Sequence, residues 1–136
     1  MSDDGQGWLE RLGAEEWLAA AMNELARATI ALTGKQQRAG VTQARRAAGM
    51  AWNAVLLGIA DLEERNRYGR SYMDHLRVLK DEPAVPTKVR EAAATLVGAA
   101  LDPQLVQLGT GDTRLAIAAT AIVEEARRRV DETGRS

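Results

Sequence analysis

Positions 47–60, "AAGMAWNAVLLGIA", are apolar or small on every side of a helix except at Asn53. A helix that is apolar all round is buried all round. This requirement constrains the chain more than any other feature, because a short protein has few elements with which to surround one of its own. Val41, Ala44, Ala48, Ala51, Val55, Ile59 and Leu62 recur at helical spacing and predict a helix from about 41 to 67. The sequence reading gives one face of it to a second copy or a partner, with Ala48, Gly49, Trp52, Asn53 and Leu56 as interface residues. Gly49 and Gly58 fit that expectation, since glycine inside a helix costs up to about 1 kcal/mol against alanine and calls for a close backbone approach.

The rest of the chain reads as helices and turns. Leu18, Ala21, Leu25, Ala28 and Leu32 form one stripe and predict a helix over 14–33, with Glu15 and Glu16 complementing its amino end. Trp17 stands at the rim of that stripe. "GWLERLG" predicts one packed turn in an otherwise flexible segment 1–13. Gly34 and Gly40 mark a loop. After Gly69, Ser71 and Asp74 make a capping box that opens a short helix over 72–80, with Tyr72, Leu76 and Leu79 facing inward. "DEPAVP" is a break, Pro86 or Thr87 opens a helix to about Leu101, and Asp112 is the expected cap of a last helix over 113–131. That helix buries Leu115, Ala119, Ile122, Ala126 and Val130. Residues 132–136 read as a frayed tail.

No alternating β-branched run suggests a strand. The expected fold is all-α: a single domain over 14–131, an up-and-down four-helix bundle with an extra short helix. With 136 residues, one core is the default. Aromatic residues are only 4 % and Phe is absent, so that core must be built from Ala, Leu, Val, Ile, Met and three tryptophans.

Composition also excludes chemistry. The absence of cysteine removes disulfides, thiolate metal sites and cysteine nucleophiles. Eighteen basic against 19 acidic residues give a formal charge of −1, which argues against a nucleic-acid field over the whole surface. No apolar run reaches the ~18 residues of a membrane helix, and "SDDGQG" after Met1 is unlike a secretory signal, so the expectation is a cytoplasmic protein. "GTGD" lacks the lysine and hydroxyl residue of a phosphate loop. No pattern calls for a cofactor or a metal.

The only histidine, His75, follows Arg70 in "RYGRSYMDHL". "ARRAAGMAWNAVLLGI" (44–59) and "YGRSYMDHLRVL" (68–79), together with the helix order, resemble HEPN-type domains, the helical bundles often found beside minimal nucleotidyltransferases. The "GMAWNAVL" version is also similar to bacterial HEPN-like proteins of unassigned activity. The resemblance covers about residues 14 to 131. It implies a homodimer packed through the Ala-rich helix and two functional alternatives. In HEPN ribonucleases an Arg and a His four to six residues apart act from both subunits on RNA, without metal, and Arg70 with His75 meets that spacing. Their motif, however, lies near the final helix, where this chain offers Arg114 and no histidine. A histidine in the short helix is more similar to the non-catalytic members. The primary expectation is therefore a non-catalytic interaction or accessory module with a nucleotidyltransferase or nucleic-acid-handling partner, and the alternative is the ribonuclease.

Asn53, a polar amide in an apolar helix, must find partners or cost a few kcal/mol. Arg65, Arg67, Tyr68 and Arg70, basic residues interleaved with an aromatic, are the nucleic-acid candidate. "ARR" (44–46) and "RRR" (127–129) read as solvated faces.

Overall fold

The computed structural model describes residues 7–99 and 113–134. Among them, helices are the only regular structure: a 3₁₀ turn at Leu9–Arg11, then α1 (Ala14–Thr33), α2 (Gln37–Leu57), α3 (Leu62–Arg67), α4 (Tyr72–Leu79), α5 (Thr87–Val97) and α6 (Arg114–Gly134). None of the described helices is long and apolar enough to cross a membrane.

Helix α1 has the predicted bounds. Gly13 stays extended ahead of it, and the Glu16 carboxylate accepts the Gly13 N–H at 2.8 Å. Leu18, Ala21, Ala28 and Leu32 are buried, and Leu25 is half-buried. Trp17 is not at a rim: it is 2 % exposed, and its indole N–H donates to the Leu9 carbonyl at 2.9 Å. That bond explains why the turn before α1 packs, with Leu9 fully buried. The well-packed region thus begins ahead of residue 14; residues 1–6, 135 and 136 lie outside the described part.

Three residues, 34–36, reverse the chain into α2, which starts four residues before the predicted position. Gly40 belongs to this helix and not to the loop, and it lets α1 come close: a Cβ there would sit 2.7 Å from Leu32 Cγ. The hairpin is pinned by Glu24, 3 % exposed, which accepts from Arg46 at 2.9 Å and from Arg27 at 3.3 Å.

The middle of α2 is surrounded within one chain. It touches α1 on one side, α6 on another, α4 and α5 beyond, and the 3₁₀ turn at one end. Ala48, Asn53 and Leu56 have no exposed surface, Trp52 has 1 %, and Gly49 is buried. The sequence-based assignment of these five residues to an interface is therefore corrected: alanines let several helix axes approach closely enough that one chain suffices. Gly49 does serve a close approach, and its neighbour is Tyr72 of α4, whose Cβ would lie 2.3 Å from a Cβ at 49. Burying Leu56, Leu76 and Leu79 completely contributes roughly 1.5–3 kcal/mol each.

The predicted helix over 41–67 is two helices. Residues 58–61 leave helical geometry, and Asp61 caps α3 by accepting the Glu63 N–H at 3.0 Å. Gly58 is the residue after α2 instead of an interior one. The Arg65 guanidinium donates to the Leu56 and Leu57 carbonyls at 3.0 and 3.4 Å, supplying the donors that the end of α2 lacks. Leu62 consequently falls outside the apolar stripe and is 54 % exposed.

Gly69 turns the chain with φ 74°, a left-handed conformation open to glycine. Ser71 and Asp74 then form the predicted capping box, Ser71 Oγ accepting the Asp74 N–H at 3.0 Å. Helix α5 ends at Val97. Arg45 holds that end from α2, donating to the carbonyls of Leu96 (2.8 Å), Val97 (3.4 Å) and Ala99 (2.8 Å). Helix α6 buries Leu115, Ala119, Ile122 and Ala126 as predicted, with Val130 half-buried. The expected cap at Asp112 lies outside the described residues.

Candidate functional site

Two polar residues singled out in the sequence meet in the core. His75, on the inner face of α4, and Asn53, in the middle of α2, are both 0 % exposed. His75 Nδ1 lies 2.8 Å from the Tyr68 carbonyl oxygen, and Nε2 lies 2.8 Å from Asn53 Oδ1. A carbonyl can only accept, so Nδ1 carries the proton. Burial then depresses the imidazole pKa below its usual 6.5, against smaller opposing effects of the Tyr68 carbonyl and Asp74, which favours the neutral ring. In a neutral ring Nε2 accepts, and Asn53 must offer its NH₂ group. A half-turn of the amide does so: it turns Nδ2, which has no partner while Oδ1 faces the ring, toward Nε2 and puts Oδ1 in its former place.

Aromatic rings close the space around this pair. Trp8 stacks on His75 with centroids 6.1 Å apart, and Tyr72 meets it edge-on at 6.5 Å. Arg70 is exposed on the turn before α4, outside the helix, while the His75 side chain points into the core. The two residues proposed as a ribonuclease pair therefore do not converge on one surface. Their spacing is met in sequence, but Ser71 caps α4 between them and sends them to different sides.

The nucleic-acid candidate is also dispersed. Arg65 is committed to the end of α2. Arg67 bonds to Glu64 at 2.6 Å and to Glu82, and its guanidinium stands 4.9 Å from the centre of the Tyr68 ring. Tyr68 is 4 % exposed, its hydroxyl 3.3 Å from Glu82. The hydrogen bond from Arg67 holds the Glu82 carboxyl below its usual range despite burial, helped by the Ala84 N–H. Of the four, only Arg70 presents an exposed cation without a structural role among the described contacts.

Glu82 opens into a cleft of about 340 Å³ lined by Trp52, Tyr68, Glu64, Arg129 and Glu132. Its cations are already matched: Arg129 bonds to Glu125 at 2.7 Å and to the Ala84 carbonyl at 2.9 Å, over the Trp52 ring. The arrangement locks the turn after α4 onto α6. Arg127 and Arg128 are likewise spent on carboxylates, Arg127 joining α6 to Glu15 of α1 at 2.6 Å. Sequence reading missed Glu24 and Glu82 because the partners that tie them to other elements, Arg46 and Arg67, are 22 and 15 residues away. Among the described residues no cluster of three or more His, Asp or Glu side chains could hold a metal ion.

No protein-family model matches this chain, and neither a curated protein nor a solved structure matches it significantly.

Proposed function

We propose that the chain is an interaction or accessory module acting by binding, an HEPN-like bundle in which α1, α2, α5 and α6 form the four main helices and α4 the extra short one. The observation that supports it is the engagement of His75: both ring nitrogens have partners inside the core, and the ring has no exposed surface. An imidazole held this way serves helix register, the best attested use of a buried polar pair. The partner class, a nucleotidyltransferase or another nucleic-acid-handling protein, follows from resemblance of fold and small-residue pattern alone.

The test has two arms. Purified protein incubated with single-stranded and hairpin RNA is expected to leave both intact, and co-expression with a minimal nucleotidyltransferase is expected to give co-purification of the two chains. RNA cleavage that is abolished in a folded His75→Gln variant would overturn the reading in favour of the ribonuclease.

A further inference from the structure

The outward side of α1 carries an apolar face that nothing in the described structure covers. Ala19, Met22, Ala26 and Ile30 are spaced 3, 4 and 4, on the side of the helix opposite buried Ala21, Ala28 and Leu32. Met22 is 56 % and Ile30 73 % exposed. Thr29 and Thr33 flank the stripe, but their hydroxyls fold back onto the helix, donating to the carbonyls of Leu25 (3.0 Å) and Thr29 (2.8 Å). From Ala19 to Thr33 the face is roughly 20 Å long, at 1.5 Å per residue, and its centre line holds no charge.

Its two ends carry opposite charge. At the amino end, Glu15 and Glu124 border a groove of about 440 Å³ floored by Leu18, Met22 and Val123. At the carboxyl end, Arg27 and Lys35 border a cleft of about 430 Å³ beside Ile30. Arg127 offsets part of the acidic charge and Glu24 part of the basic charge, leaving Glu124 and Lys35 as the distinguishing pair.

We propose that this face binds a second copy of the chain, with the two α1 helices packed antiparallel about a two-fold axis near the level of Asn23 to Leu25. In that arrangement each large residue meets a small one: Ile30 of one copy comes down on Ala19 of the other at the edge of the groove, and Met22 meets Ala26. The basic end of each copy lies against the acidic end of its mate, and a two-fold contact repeats both matches. A parallel pairing would set Ile30 against Ile30 and like charges against each other. The proposal rests on the reading of the chain as a binding module, and it places self-association on α1, away from the internal α2.

The first measurement is sedimentation equilibrium of the native chain and of Ala26→Glu, whose new charge lies at the centre of the face and outside the core. The native chain is expected to dimerise with a Kd on the order of micromolar, as suits a small interface. Ala26→Glu is expected to weaken it about 100-fold or more, while the two chains melt at the same temperature at concentrations far below the native Kd, where both are monomers. Because the chain has no cysteine, orientation can be read by mixing Met22→Cys protein with Ala26→Cys protein. Oxidation should give chiefly the mixed cross-link if the helices are antiparallel. A native monomer, a dimer indifferent to Ala26→Glu, or a monomer whose melting temperature drops with Ala26→Glu would each overturn the proposal, the last by showing that the chain covers the face itself. RNA cleavage would overturn the binding-module reading without altering any of these results.

Discussion

Asn53 and His75, 22 residues apart in sequence, share a hydrogen bond of 2.8 Å with neither side chain reaching solvent. The bond ties the middle of α2 to α4, and the Tyr68 carbonyl completes the ring's partners from the turn that precedes α4. Removing one member leaves the other buried without a partner, at a cost of about 1–3 kcal/mol beyond the lost packing. Asn53→Leu and His75→Leu are each expected to be destabilising in urea titrations. The double variant should lose less than the sum of the two, with a coupling energy of about 1–3 kcal/mol. Strict additivity would show that the pair is not coupled.

The protonation state of His75 gives stability a pH dependence of known sign. Its folded pKa is lowered by burial from 6.5. Well above the unfolded pKa of about 6.5 neither the folded nor the unfolded chain protonates the ring, and the full stability is present. As pH falls below that value the unfolded chain takes up a proton that the folded chain refuses, so stability declines until the depressed folded pKa is passed. Denaturation midpoints between pH 5 and 8 should show this slope, and His75→Gln should remove it.

Glu82 acts at lower pH and in a different way. Its folded pKa is lowered from 4.5, first by the hydrogen bond from Arg67. Its stabilising effect is present above the unfolded value and is lost as pH falls through the folded one. Glu82→Gln should therefore flatten the acid limb of the stability profile and reduce stability at neutral pH. A profile in which the variant retains the native acid limb would show that other carboxylates dominate it.

Gly49→Ala would raise helix propensity, and at an open helical site it would stabilise. Here the added methyl would lie 2.3 Å from Tyr72 Cβ, so α4 must move. The expected outcome is a loss of about 1–3 kcal/mol, read by thermal denaturation. An unchanged or raised melting temperature would show that α4 can yield without cost.

Arg45→Met keeps the aliphatic stem and removes three hydrogen bonds to the end of α5. A loss of about 1–3 kcal/mol is expected, with hydrogen exchange in Ala94 to Val97 accelerated more than in α1. Uniform acceleration across both helices would mean that Arg45 stabilises the fold without specifically capping α5.

The elements most legible in sequence were those governed by near neighbours. The stripe of α1 and the Ser71–Asp74 box act within a turn or two, and both stand at the predicted residues. The break at 58–61 was hidden, because apolar spacing runs on through Ile59 and Leu62 while Arg65 satisfies the end of α2 from nine residues further on. The close approach at Gly49 was legible, but its partner was not: a glycine announces a neighbour without naming it. The same holds for Asn53 and His75, each marked in sequence and joined only by the fold. For the basic clusters, composition showed charge, while the structure shows carbonyls and carboxylates consuming most of it.

Having a single histidine gives the chain a built-in spectroscopic reporter. One imidazole contributes one set of ring resonances, needing no assignment against others, and its sealed Nδ1 proton, held by the Tyr68 carbonyl, should persist long enough to appear well downfield in an NMR spectrum. The rate at which that proton exchanges with solvent would time how often α4 lifts from α2.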